Sequence, residues 1–484
     1  MSIRVRPSLS VAPAPPGSLR DAWIALTGLS AVFLFEMLDN SVLNIALPTI
    51  GRDLYTSTTG LQWVTGAYSV AFGALMLLFG AVADRFGRRR VMLIGLVLLA
   101  LASLATAVVT TAVELVAVRA LMGVAAAMTT PGSMALAFRL FDAQELRIRA
   151  MTVISTAGLV GLAIGPTAGG FVLAFAPWQV LLLVNVPIAA LAFAGIRTGI
   201  PRDREEDLHP DRIDVAGAVL GTLTLVAALV TPTLFVEAGA VAWPSWAGVF
   251  VTVLAAAGFV WRERVATQPL LDLRMLARPL VASGLAYKAA AGLAVSGLSY
   301  LVTLQLQFAW GWPPSLAALV MLPQVVVLLA SGRFVGPVVQ RLGLARAAWG
   351  SSATVVAGLA VFTLGGRAGI GWVIVAIVLV AAGMRVVGVV AGNNVLQGLP
   401  SDRTSMGAAL VDTSSEVANA IGIAATGTIL AVVASSSLAS TSWTAARLAQ
   451  FEGGVTVAGG VLTGIAAALV AVGIRGSRSH DMHA

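Results

Sequence analysis

The sequence predicts an all-α integral membrane protein that crosses the bilayer about fourteen times. Three observations predict it: of 484 residues 58% are hydrophobic, only 11% are charged, and the mean hydropathy is +0.92. A water-soluble chain carries about 25% charged residues and needs them to keep its surface wet. Here they are missing because most of the surface is expected to face hydrocarbon.

Composition also removes several function classes. There is no cysteine, hence no disulfide framework, thiolate metal site or thiol nucleophile. The three histidines, His209, His480 and His483, lie in a charged stretch and in the C-terminal tail, so neither a metal site nor a catalytic residue is expected. No G-x-x-x-x-G-K-[ST] occurs, and Lys288, the sole lysine, falls inside an apolar run. An ATP site, and with it an enzyme, is not expected. The net charge of +8 would suggest nucleic acid in a soluble chain. Between apolar segments it reads as membrane topology, and no nucleic-acid partner is expected. Every basic residue but Lys288 is arginine, which points to a GC-rich, bacterial genome.

A helix needs about 20 apolar residues to cross about 30 Å of hydrocarbon at 1.5 Å per residue. Runs of that kind cover 23–47, 61–83, 91–110, 113–138, 151–175 and 180–196. A polar stretch, 202–214, precedes 215–236 and 246–261. Six more follow: 280–309, 316–339, 347–364, 372–396, 406–434 and 455–474. The expected organisation is an N-terminal tail (1–22), a six-helix bundle (23–197), a linker with two extra helices (198–279), a second six-helix bundle (280–474) and a C-terminal tail (475–484). The Pro-rich stretch before the first span reads as a flexible tail, and the first apolar run is too long for a cleavable signal peptide.

An even number of spans puts both termini on one side. With a cytoplasmic N-terminus the loop arginines collect inside, among them Arg85, Arg88, Arg139, Arg147, Arg197, Arg262 and Arg346, and only Arg52, Arg367 and Arg447 fall outside. That is the bias of a multi-pass inner-membrane protein with both termini cytoplasmic. A twelve-helix reading without the middle pair keeps the same polarity.

The two halves repeat a loop. Gly80, Arg85, Gly87 and Arg90 after the second span align without a gap on Gly336, Arg341, Gly343 and Arg346 after the second of the last six. Such a parallel repeat suits a two-bundle architecture. In the first copy Gly80 permits close helix approach, Asp84 sets a carboxylate at a helix end, Gly87 turns the chain, and Arg88 follows.

The spacing G-x-x-x-D-R-x-G-R-R closely resembles the signature between helices 2 and 3 of the major facilitator superfamily. Leu38-Asp39-Asn40-Ser41 through Pro48 resembles the first-helix motif of its fourteen-helix drug:proton antiporters, with Ser41 where Thr is usual. Arg119 and Gly123 match the superfamily's R-x-x-x-G in helix 4. Gly161, Gly165, Pro166, Gly169 and Gly170 are similar to the helix-5 motif associated with exporters. Trp178 and Asn185-Val-Pro187 match the entry to helix 6, although Gln179 and Val180 replace the usual basic and aromatic residues. The resemblance implies the major facilitator fold and proton-coupled export of amphipathic drugs or antibiotics by alternating access. It implies no cofactor beyond the proton gradient, and a monomer in the bilayer. In that reading Gly165 and Pro166 make a bend and a smooth face along which the bundles rock. Small residues also let membrane helices pack closely whatever the protein does.

Charges at membrane depth cost on the order of 3 kcal/mol each on insertion scales and mark function by default. Glu36 and Asp39 share one face of the first span, Asp412, Glu416 and Asn419 one stripe of the thirteenth. Arg119, Lys288 and Arg385 supply positive charge. The protonation of a carboxylate in a low-dielectric cavity depends on its surroundings, which is what competition between proton and substrate requires. Asp39 is the first choice for that role, then Glu416 and Asp412, with Glu36 titrating beside Asp39. The resemblance implies that Arg119 holds the carboxylates. Buried ion pairs that only fix packing are the alternative. For Lys288, snorkelling to the interface and a cavity role stand side by side. Most tryptophans, among them Trp23, Trp178, Trp243 and Trp261, fall at span ends and read as interfacial anchors. Phe33, Phe35, Tyr68, Phe72, Tyr287 and Tyr300 line the cavity or pack the core.

Two competing readings remain at this level. One is a dedicated exporter of a single, anionic or zwitterionic metabolite such as a self-made antibiotic. The other is a sensor or scaffold that keeps the fold without transport.

Overall fold

A computed structural model describes residues 17–141, 143–203, 214–239, 241–266, 273–399, 404–434 and 444–481. Most of the expected N-terminal tail, the middle of the 202–214 stretch, His209, and the last residues with His483 lie outside it. The described chain is helical, without strands. Its helices are α1 (Trp23–Asp53), α2 (Thr58–Phe86), α3 (Arg88–Ala105), α4 (Ala112–Leu140), α5 (Gln144–Val172), α6 (Gln179–Gly199), α7 (Val215–Glu237), α8 (Trp243–Val265), α9 (Pro279–Leu304), α10 (Pro314–Ala330 and Phe334–Leu342), α11 (Leu344–Gly365), α12 (Ile370–Gly398), α13 (Thr404–Ala434) and α14 (Ala445–Asp481). Twelve are single spans by length and composition, and α2 and α10, each sharply bent, bring the number to fourteen.

Local chemistry sets several of the ends. The Ser57 hydroxyl accepts the Gly60 N–H at 3.2 Å to start α2. Thr111 and Glu114 form a capping box at α4, satisfying N–H groups that a helix start leaves without partners. Asp214 caps α7 through the Gly217 N–H at 3.0 Å and accepts from Arg262 Nε of α8 at 2.9 Å, which fixes the α7–α8 hairpin.

In the first half α1 packs on α5 and α6, α2 on α4, and α3 on α4 and α6. In the second, α9 packs on α12, α13 and α14, and α11 on α12 and α14. The halves meet where α2 lies on α13 and where α5 lies on the first part of α10. The hairpin attaches through α7, which touches α2 and α13. Beyond it α8 packs on α7 and exposes Trp246, Phe250, Val253, Leu254 and Trp261. An apolar face of that size suits lipid rather than water.

The repeated loops share a backbone. Gly87 ends α2 at φ +102° and Gly343 ends α10 at φ +75°, a region only glycine enters freely. Each N–H bonds the carbonyl four residues back at 2.9 Å. The preceding helix bends in both, by 51° between Met76 and Leu78 in α2 and by 66° around Gly332 in α10. In α10, Ser331, Gly332 and Pro337 weaken the ladder at the break. Helix α2 contains no proline.

Candidate functional site

Asp39 of α1 is fully buried. One carboxylate oxygen accepts from Arg119 Nη1 of α4 at 2.5 Å, the other from Asn185 Nδ2 of α6 at 2.8 Å. The Arg119 Nε donates to the Val64 carbonyl of α2 at 3.3 Å, and its guanidinium lies 4.6 Å from the centre of the Tyr68 ring. Four helices of the first half are thus tied through one ion pair. Glu36, one turn away on α1, is also buried, and accepts from Thr130 Oγ1 of α4 at 2.9 Å.

A cavity of about 140 Å³ opens between the halves. The first half gives it Asn40, Asn44, Ser69, Arg119 and Pro166, the second Lys288, Gln324, Ser415, Glu416 and Asn419. Glu416 is buried, with Oε1 accepting from Asn419 Nδ2 at 3.0 Å. Its Oε2 has no hydrogen-bond partner; the Ser69 hydroxyl stands near the carboxylate without closing that bond. Lys288 and Asp412 lie within electrostatic reach of Glu416, and Glu36 feels all three.

The residues singled out in the sequence therefore divide. Arg119, Lys288, Glu416 and Pro166 line the cavity, whereas Asp39, Glu36 and Asp412 do not; of these Asp39 and Glu36 are buried and Asp412 is half-buried. Arg385 of α12 is half-buried, with its Nη2 against the break of α10 at Gly332 and its Nε lacking an acceptor. Arg333, inside the same span and passed over in the sequence, falls at that break.

The helix-5 motif faces mainly inward on its own half. A Cβ on Gly161 would lie 2.6 Å from the Leu34 carbonyl, one on Gly165 would strike the Ser41 hydroxyl, and one on Gly169 would press on Val42. Ser41 Oγ donates to the Leu38 and Gly161 carbonyls, binding α1 to α5. Only Gly170 meets the other half, against Pro314 and Ala318 of α10. Pro166 sits in an unbroken α5. The expected smooth face between bundles is thus chiefly an α1–α5 seam, because the motif's glycines are spaced to follow α1.

In the α2–α3 loop Asp84 accepts from Arg88 Nε at 2.7 Å. A Cβ on Gly80 would meet nothing within 4 Å, so no helix approaches it closely in this conformation. Asp203, which the sequence reading missed, accepts the N–H groups of Arg89 and Arg90, each at 3.3 Å, and caps α3 from beyond α6. Arg89 Nη2 donates to the Arg197 carbonyl at 2.7 Å.

For the aromatic residues one expectation is corrected and one alternative, cavity or core, is decided. Trp178 is not an exposed anchor: it is buried and donates to Asp53 Oδ2 at 2.7 Å, joining α6 to the end of α1. Phe33, Phe35, Tyr68, Phe72, Tyr287 and Tyr300 are all absent from the cavity wall, and all but half-buried Phe33 are core.

At the end of the molecule opposite the α2–α3 loop the halves are closed on each other. A π turn, Gln305–Ala309, extends α9, and Gln307 Nε2 donates to the Ile45 carbonyl of α1 at 2.8 Å. At the α2–α3 end, the segment Gly332–Leu342 packs on α11 and α12 of its own half.

Many membrane helices around a central cavity that carries charged side chains between two halves define a membrane transporter, not an enzyme. The chain belongs to the Major Facilitator Superfamily, whose model matches residues 29–423. It is 33% identical to the puromycin resistance protein pur8 of Streptomyces alboniger, over 66% of this chain and 63% of that protein. It is 32% identical to the cephamycin export protein CmcT of Amycolatopsis lactamdurans (94% and 91%), and 28% to the multidrug efflux pump LfrA of Mycolicibacterium smegmatis (84% and 81%). Among solved structures, the POT family transporter PepTSo superposes with a TM-score of 0.69 at 16% identity, covering 97% of this chain and 100% of that one. That likeness concerns the fold alone.

Proposed function

We propose that this chain is a proton-coupled antiporter of the bacterial plasma membrane that exports drugs or antibiotics by alternating access. The observation that carries the reading is Glu416, a buried carboxylate with one oxygen unanswered, in the wall of a central cavity beside Lys288 and the Arg119–Asp39 pair. Efflux and export relatives support it. Glu416 takes a proton from the cavity, with Asp412 and Glu36 adjusting its charge. Arg119 reports that change to Asp39, whose own protonation would free the guanidinium into the cavity. The end closed by Gln307 is read as the outer one, in keeping with the arginine bias that puts both termini in the cytoplasm. The proton gradient is the energy source, with no cofactor and a single chain as the working unit.

The test is transport into inside-out vesicles under an imposed pH gradient, with ethidium and anionic compounds offered in parallel. Uptake that dissipates the gradient is expected. If no compound moves and none dissipates it, the reading fails.

A second reading, a dedicated exporter of one polar metabolite, is favoured by the amides and hydroxyls of the cavity wall.

A further inference from the structure

The cavity wall contains no aromatic residue among those described. A planar aromatic cation would find three methionines, Met37, Met321 and Met384, but no ring face. Ring stacking and cation–π contact, the usual means of holding such a compound, are therefore lacking. Beside an aliphatic lining that includes Leu43, Leu162, Val295 and Ile423, the wall offers hydrogen bonding from Asn40, Asn44, Gln324 and Asn419.

Its charges are arranged to match. Among the described residues three charged side chains reach the cavity: Arg119, Lys288 and Glu416. Arg119 is already answered by Asp39. Lys288 of α9 and Glu416 of α13 stand on helices that pack together, and Glu416 lies within reach of the Lys288 charge. Yet no ion pair joins them, and among the described residues none reaches the Lys288 ammonium within ion-pair distance. The two form an opposite-charge pair without a direct contact, with Asp412 and Glu36 also within reach of Lys288, and a buried charge without a bonded partner is costly.

We propose that the cavity recognises a small dipolar compound without an aromatic ring, its ammonium on Glu416 and its carboxylate on Lys288. This rests on the exporter reading and narrows it. A zwitterion answers both charges at once, while a cation leaves Lys288 unanswered and an anion leaves Glu416 so. Because the ammonium and a proton then compete for one carboxylate, the same contact that selects the substrate couples it to the gradient.

The experiment uses the purified full-length protein and four probes: ε-aminocaproate, caproate, n-hexylamine and ethidium. Binding is followed by isothermal calorimetry, and proton movement in vesicles. The aminocaproate is expected to bind at least about tenfold tighter than either half-molecule, a difference of about 1.4 kcal/mol. Lys288→Ala and Glu416→Gln should each abolish that preference, and Lys288→Arg should retain it, which separates recognition from misfolding. Tighter binding of ethidium or hexylamine, or an unchanged preference in Lys288→Ala, overturns the proposal. If ethidium alone dissipates the gradient, the substrate class fails while the exporter reading stands. If no probe binds and none moves protons, both fail.

Discussion

Two walls face one cavity, and they treat their buried charges differently. On the first-half side Asp39 is held by Arg119 and Asn185, and Glu36 accepts from Thr130. On the second-half side Lys288 has no ion pair among the described residues, and Glu416 leaves Oε2 without a hydrogen bond. Burying a charge without a partner is costly, so open positions persist only where something else answers them. The first wall is built as a scaffold. The second is the one left free for what enters the cavity.

The largest effect should come from breaking the finished wall. Arg119→Ala strands the Asp39 carboxylate at zero exposure and should cost about 3–5 kcal/mol. Thermal unfolding of the purified protein checks this. Asp39→Asn, which strands Arg119, should also lower stability. Removing Lys288 as Lys288→Met should instead leave unfolding unchanged or raise it, since no ion pair is lost. Equal losses from Arg119→Ala and Lys288→Met would erase the distinction between the walls.

A smaller structural effect but a sharp functional one is expected on the open wall. Glu416→Gln keeps the shape and the Asn419 neighbour but removes the titrating group. It should abolish proton movement while leaving stability within about 1 kcal/mol, like an ordinary substitution. Gradient dissipation in vesicles beside a melting curve separates the two readouts. Proton movement that survives Glu416→Gln would return the coupling role to Asp39.

How much of this was legible in the sequence follows from the same physics. Spans were legible because a bilayer demands about 20 apolar residues from every crossing. The repeat was legible because Gly87 and Gly343 must both adopt a positive φ. The charged residues were legible as well, since hydrocarbon makes each of them conspicuous. Which of them reach the cavity was not. Asp39 ranked first in the sequence reading, yet the structure seals it behind Arg119, because helices apolar on all sides carry no periodic mark of a cavity-facing side. Asn185 stood in a recognised motif, but its bond to Asp39 spans 146 positions. Asp203 had no signal at all, its bond to the Arg89 N–H spanning 114 positions.

The repeated loops extend the comparison to the membrane edge, with the smallest expected effect. Asp203 caps α3 behind Gly87, and a Cβ on Gly87 would run into that carboxylate. Around Gly343 nothing lies within 4 Å of such a Cβ, and the position aligned with Asp84 is Gln340. The first loop is clasped to its half, whereas the second has no comparable clasp among the described residues. Asp203→Ala removes a helix cap and should cost about 1 kcal/mol. It should also speed hydrogen exchange at the Arg89 and Arg90 amides, which lose their acceptor. Gln340→Ala should change neither stability nor exchange at the start of α11. If both loops respond alike, the second is clasped too and the asymmetry between halves stops at the cavity. If only the first responds, the scaffold of the first half runs from Asp39 to the loop, and the second half is free to move against it.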